Sequence, residues 1–425
     1  MKNLFILLVF MIPLISVSQD EDKFGIKFSG FVKSDIFYDS RQTVDAREGH
    51  FLLYPAAESP DINGDDINAS PKFNILSIQT RLKGAITGPD AFGAKTSGLI
   101  EGAFFGNIGT DINGFRLRHA FVKLTWTNTE LLVGQYWHPM FVTSCFPGTV
   151  SFNTGAPFQP FARNPQIRLK QSFGDLNLII TAMEQVDFVD GGPDVKTATL
   201  NVASPRYLIN SGMPEFNARL EFDTKNDDKE FLLGIGGNYK MLTPRLQSET
   251  FYDQVSGNPF TYKVDEQVSG VSGMAYLKWK CEKLTFKLEG VMGQMMQSMT
   301  MVGGYAVKSS DTANGSMEYT PVKTMSVWTD IHTNGKKYQV GLFGGYTKNN
   351  GTVDDNTGQY YARSANIDYV YRVAPRLIIN SGKFRIAPEI EYTVAAYGKN
   401  ELDGTVKDAK EVANFRFLVG VFYFF

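Results

Sequence analysis

Along most of the chain apolar and polar residues alternate with a period of two, the pattern of a strand whose faces meet different surroundings. Between residues 24 and 38, Phe24, Ile26, Phe28, Gly30, Val32, Ile36 and Tyr38 share one face, with Ser34 the exception. Lys27, Ser29, Lys33 and Asp35 share the other. Phe216, Ala218, Leu220 and Phe222 alternate in the same way with Asn217, Arg219 and Glu221. No long segment has helical spacing. Short turns are expected at 87–93, 127–129, 173–175, 224–229, 281–283, 333–336 and, less sharply, 374–382. Long polar loops are expected at 39–72, 107–113, 140–163, 187–213, 242–263, 298–319, 349–358 and 399–410. Seven turns and eight loops join sixteen strands. Strict alternation of tight and long links predicts an all-β transmembrane barrel, antiparallel and up-and-down, with short periplasmic turns and long outer loops.

Composition fits that expectation and removes others. The 425 residues carry 42 Lys and Arg against 44 Asp and Glu, a net charge of −2. That balance speaks against a nucleic-acid partner. A mean hydropathy of −0.18 leaves no room for a bundle of membrane helices,. Aromatics are nonetheless 13%, with 40 Gly. In a barrel only every second residue need be apolar. Two Cys, Cys145 and Cys281, fall in an outer loop and an inner turn and are expected to be free thiols,.

Both ends carry export and assembly signals. A charged start, an apolar run from Leu4 to Ile15 and small residues at Ser16 and Ser18 predict a cleaved signal peptide over 1–18 and a barrel domain over 19–425,. The expected location is the Gram-negative outer membrane. At the other end Phe415, Phe417, Val419, Val421, Tyr423 and Phe425 share one apolar face. Gly420, Tyr423 and Phe425 fit the terminal strand signal read by the barrel-assembly machinery, although Leu418 stands where a polar residue is usual. Trp126, Trp279 and Trp328 near short turns and Trp137 before a long loop are expected in interfacial belts,. Pro388 interrupts a strand read from 384 to 396, which calls for a bulge or a shifted start,.

Sixteen strands leave an aqueous lumen. The segments Gly30-Phe31-Val32-Lys33-Ser34-Asp35, Phe115-Arg116-Leu117-Arg118-His119-Ala120-Phe121 and Leu132-Val133-Gly134-Gln135-Tyr136-Trp137 resemble the DcaP-like family of trimeric outer-membrane porins. The resemblance covers the first third of the chain. It implies a sixteen-stranded homotrimeric channel narrowed by inward loops and favouring small anionic solutes.

In a pore the chemistry is the field along the lumen. Arg81 and Lys83, Arg116 and Arg118, Arg168 and Lys170, and Arg219 lie on polar parities of the second, fourth, sixth and eighth strands. Arg or Lys facing lipid costs about 2–4 kcal/mol at mid-depth, so a basic ladder inside the wall is expected. The fourth strand changes phase after Arg118, which demands a bulge. The loop at 140–163 is the expected constriction. It holds Phe141, Phe146, Phe152, Phe158 and Phe161 and no Asp or Glu. The expected result is a modest anion preference, unless Glu101, Glu221 and Glu289 neutralise the ladder. Aromatics on polar parities, Phe31 and Phe37, keep a sugar channel open as an alternative; a secreted all-β glycan-binding adhesin is the alternative of another class. No cofactor is expected. Asp61, Asn63, Asp65 and Asp66 form a Ca²⁺ candidate whose Gly64 comes two positions early for an EF-hand, and Asp187, Asp190 and Asp194 form a similar cluster; a solvated loop is the simpler reading,. With four His and no hydrolase or phosphate-cradling motif, no enzymatic activity is expected,.

Overall fold

A computed structural model of the chain describes residues 24–106, 112–194, 201–226 and 229–425. The signal peptide expected at 1–18 lies outside them. Sixteen antiparallel strands form one closed wall. They are β1 (Gly25–Asp39), β2 (Lys72–Leu76 continued by Arg81–Thr87), β3 (Lys95–Ala103), β4 (Arg116–Thr125), β5 (Thr129–Trp137), β6 (Arg163–Phe173), β7 (Leu176–Met183) and β8 (Glu215–Asn226). The second half comprises β9 (Lys229–Leu242), β10 (Val268–Lys280), β11 (Leu284–Gln294), β12 (Met317–Thr333), β13 (Tyr338–Thr352), β14 (Ile367–Ser381), β15 (Phe384–Asn400) and β16 (Val406–Phe424). Each strand pairs with the next, and β16 closes on β1 from Phe31↔Phe424 to Asp39↔Arg416. Closure removes the unpaired edges that an open sheet would present.

The period of two decides which face is which. Phe28 is 64% exposed, Val122 63% and Ile235 59%, all on the outer face. Lys33, Asp35, Arg118, Glu289, Arg372 and Arg416 are buried inside. A wall with apolar side chains outward and buried charge inward matches lipid outside and a polar interior. Such a barrel does not suit a secreted adhesin.

The exceptions have local causes. In β4 the ladder to β3 skips from Glu101↔His119 to Gly102↔Leu117, so Arg118 is the extra residue of a bulge,. The expected change of phase occurs there. Pro388 produces no bulge. The β14–β15 register runs unbroken from Ile379↔Ile386 to Val373↔Tyr392, and Pro388 still faces Val419 of β16. Only ladder pairs near Pro375 and Pro388 drop out, and the strand starts at Phe384 as read. The turn expected at 374–382 narrows to 382–383, because β14 runs through Pro375. The loop expected at 399–410 shrinks to 401–405. Trp279 faces outward and Trp126 donates Nε1–H to the Phe92 carbonyl beside a turn. Trp328, by contrast, is buried inside against Phe343, and Trp137 stacks on Phe141. Those two belong to the lumen, not to a belt. Cys145 and Cys281 are free thiols.

The terminal strand completes the ladder. Gly30 N–H donates to the Phe425 carbonyl at 3.2 Å and Phe425 N–H returns to the Gly30 carbonyl at 3.1 Å. A Cβ on Gly30 would sit 2.1 Å from the Arg81 carbonyl oxygen and 2.8 Å from the Phe425 ring. Backbone cannot move aside as a side chain can. Gly30→Ala is therefore expected to cost about 1–3 kcal/mol or more and to reduce the heat-modifiable folded band on gels. Gly102→Ala is the comparison: the three atoms nearest its Cβ all belong to the Phe115 ring, which can swing into lipid, and it should leave that band intact.

Candidate functional site

The third outer loop, here L3 (residues 138–162), leaves β5 after Trp137 and returns at Arg163. His138 N–H donates to the Ala162 carbonyl at 3.0 Å and closes the neck. Between those points the loop folds into the barrel, where its buried amides and carbonyls need partners. The far wall supplies them. Glu389 of β15 accepts from the amides of Val150 and Ser151, each at 2.8 Å. Glu391 accepts from the Asn153 side chain at 2.8 Å, and Asp330 of β12 from the Gly148 amide at 3.2 Å. Arg372 of β14 donates to the Ala156 carbonyl at 2.9 Å, and Lys33 of β1 to the Val150 carbonyl at 2.9 Å. Ser326 donates to the Phe158 carbonyl at 2.8 Å. Gly345 lets Phe158 lie against the wall, since a Cβ there would come within 2.5 Å of its ring.

L3 thus divides the interior. Behind it the charges are matched: Asp330 takes Arg376 at 2.6 and 3.1 Å, Arg372 lies 3.5 Å from Glu391, and Asp39 takes Arg416 at 2.9 and 2.7 Å. In front lies a cavity of about 460 Å³ between L3 and the wall of β14, β15, β16, β1, β2, β4 and β5. Its charged lining residues are Lys33, Arg81, Arg118 and Arg385, and no carboxylate is among them. Phe31, Trp137, Phe141, Phe146, Phe422 and Phe424 are among its aromatic lining.

The expected basic residues separate. Arg81 and Arg118 line the cavity together. Lys83 lies on the inner face of β2, opposite Glu101 in register and outside the cavity lining. Arg116 pairs with Asp187. Arg168 donates to the Trp137 carbonyl at 2.7 Å and lies over the Tyr136 ring. Lys170 stands opposite Glu130 in register. Arg219 donates to the Pro139 carbonyl at 2.9 Å, at the base of L3. A single continuous ladder is therefore not what the fold builds. Of the three acids weighed as neutralisers, Glu101 accepts from Arg118 at 2.7 Å and lies 3.7 Å from Arg81. Glu221 lies 3.7 Å from Arg219, and Glu289 makes no ion pair among the described residues.

Of the loop phenylalanines, Phe141, Phe146, Phe152 and Phe161 line the cavity, whereas Phe158 packs behind with Phe343. Phe37 is buried beneath Arg416 and is not part of an aromatic track, although Phe31 is in the lining. His119 packs among Tyr136 and Trp137 as a wall residue. Two lining cations escaped sequence reasoning. Lys33 and Arg385 both lie on polar parities, but nothing in their own segments singled them out.

The residues of the Ca²⁺ candidate are engaged within their own loop. Asp61 caps the amides of Asn63 and Asp65, while Asp66 takes the Ser59 and Asn68 amides and the Arg41 guanidinium. These donors hold both carboxyls below the usual carboxylate range. Asn63 and Asp65 therefore sit in a self-capped turn, and among the described residues no group of three or more His, Cys, Asp or Glu side chains converges. Asp187 and Asp190 are taken by Arg163 and Lys240.

No family model matches the chain, and no curated protein matches it. Among solved structures, the outer-membrane channel DcaP of Acinetobacter baumannii superposes with a TM-score of 0.65 at 15% identity. The match covers 95% of this chain and 97% of that one. The two share one fold. The resemblance read from residues 30–35, 115–121 and 132–137 is thus borne out in the architecture. OmpT, an outer-membrane protein of Vibrio cholerae, superposes in its trimer form with a TM-score of 0.52 at 10% identity, over 95% of this chain and 99% of that one.

The geometry makes Glu389 the main anchor of L3. Glu389→Ala removes both acceptors of the Val150 and Ser151 amides, and each charge-assisted bond of this kind is worth about 1.5–3 kcal/mol. Planar-bilayer recordings of the variant are expected to show a larger, noisier single-channel conductance, and a conductance identical to wild type would contradict the anchoring role.

Proposed function

We propose that this chain is a diffusion porin of the outer membrane that passes small hydrophilic solutes and prefers anions. One observation carries the preference: four cations and no carboxylate line the cavity between L3 and the wall. In a narrow, low-dielectric passage such a lining raises the local anion concentration and repels cations. L3 itself brings no acid to offset it. The volume of about 460 Å³ restricts passage to small molecules such as small organic acids. The likeness to channels of the outer membrane supports the location, and the trimer form of one neighbour supports a homotrimer. On this reading the chain is not an enzyme, needs no cofactor, meets outer-membrane lipid along its apolar face, and reaches it through the barrel-assembly machinery acting on Gly420, Tyr423 and Phe425.

A sugar-selective channel is the second reading, favoured by the aromatic part of the same lining. Sugars stack on such rings, whereas they gain nothing from an unbalanced positive field. Reversal potentials in a KCl gradient separate the two. The wild-type protein is expected to favour chloride over potassium several-fold. Arg81→Gln with Arg118→Gln should bring the ratio close to one. Cation preference in the wild type overturns the proposal, and neutrality with saturable sugar block favours the second reading.

A further inference from the structure

Behind the Arg118 side of the cavity the fold gathers five guanidiniums. Arg47 comes from the first outer loop, Arg81 from β2, Arg116 and Arg118 from β4, and Arg163 from the start of β6. Shared partners hold the group together. Arg81 and Arg118 both approach Glu101, and Arg116 and Arg163 both approach Asp187. Arg47 and Arg118 both lie over the rings of Phe105 and Phe152, and Arg118 and Arg163 both lie over Trp137. Glu101 thus pairs with Arg81 and Arg118, and Asp187 with Arg116 and Arg163. Arg47, Arg118 and Arg163 are at most 1% exposed.

Several of their donors have no acceptor. Both Nη atoms of Arg47, Nη1 of Arg118, Nη1 of Arg163 and Nε of Arg81 are buried without a hydrogen-bond partner. Arg47 otherwise donates Nε–H to the Gly106 carbonyl at 2.6 Å and is caged by Phe51, Phe105, Phe152 and Phe188. Ring faces attract a cation but accept no in-plane N–H bond. Unmade donors on buried cations are costly, so a fold that packs those of Arg47, Arg81, Arg118 and Arg163 together is organised for a further anion,.

We infer that this cluster is a binding site for a compact divalent oxyanion, with phosphate and sulfate as its members. Guanidinium forks match such oxygens two at a time, and a double charge suits several guanidiniums at once. Chloride offers one charge and no pair of oxygens to fit a fork. The site deepens the anion-porin reading and rests on it for access, because Arg81 and Arg118 belong both to the cluster and to the cavity lining.

The test uses the full-length protein in detergent and in planar bilayers. At fixed ionic strength, sodium phosphate or sodium sulfate titrated into chloride is expected to lower the chloride current saturably, with half-effect at millimolar concentration or below. At about 10 mM the same salts should raise Tm by several degrees, and sodium chloride of equal ionic strength should not. Arg47→Lys and Arg163→Lys keep the charge but lose the fork, and should raise the half-effect concentration at least tenfold. An unsaturable response, an equal response to chloride, or lysine variants that bind as tightly as wild type would each overturn the inference; if those variants do not fold, the wild-type titrations decide alone. A chloride-selective protein without saturable phosphate or sulfate effects leaves the porin reading standing and removes this site. A cation-selective protein still stabilised by phosphate does the reverse.

Discussion

The lumen is organised by one interaction: carboxylates on β12 and β15 accept the backbone and side-chain N–H groups of a loop that has no carboxylate of its own. Without those acceptors the buried amides of Val150 and Ser151 would be left without partners, and L3 would gain by returning to water. With them the loop crosses the barrel and reaches Lys33 on the opposite side of the closure. The charge asymmetry follows from the same arrangement. Asp330, Glu389 and Glu391 are used up behind the loop, against L3 and against Arg372 and Arg376. The wall in front keeps Arg81 and Arg118 with Glu101 between them, and the cavity that remains has a cationic lining.

The wall was legible in the sequence because lipid on one side and polar groups on the other impose a rule on every second residue. The bulge at Arg118 was legible for the same reason: two arginines on one parity and Val122, Leu124 and Trp126 on that same parity cannot share a face without an extra residue. Pro388 was misread as a disruption because one-dimensional reasoning counts a missing donor, not the intact pairing that Val419 provides on the other side. Trp328 was misplaced because proximity to a turn does not say which way a ring points.

The interior was legible only in part. That L3 folds inward followed from its five phenylalanines. Which wall it would meet did not, because its anchors lie more than two hundred residues away at Glu389 and Glu391. The expected ladder of seven cations became a pair at the cavity: Arg116, Arg168 and Arg219 found local partners in Asp187, the Trp137 carbonyl and the Pro139 carbonyl, and Lys83 and Lys170 lie outside the lining. Arg47 could not have been placed at all, because its loop shows no period and enters the lumen through contacts with distant strands, such as Arg372 with the Leu53 carbonyl. The same division explains how 15% identity suffices for one architecture. The wall asks for alternation, whereas the field inside depends on individual side chains and loops.

The most direct measurement of the central claim is hydrogen–deuterium exchange at the amides of Val150 and Ser151 in the folded, detergent-solubilised barrel. Amides held by Glu389 inside the lumen should exchange as slowly as those of the wall strands beside them. Exchange as fast as at the exposed turn around Asn63 would show that L3 does not stay folded across the lumen, and the account of the constriction would be wrong.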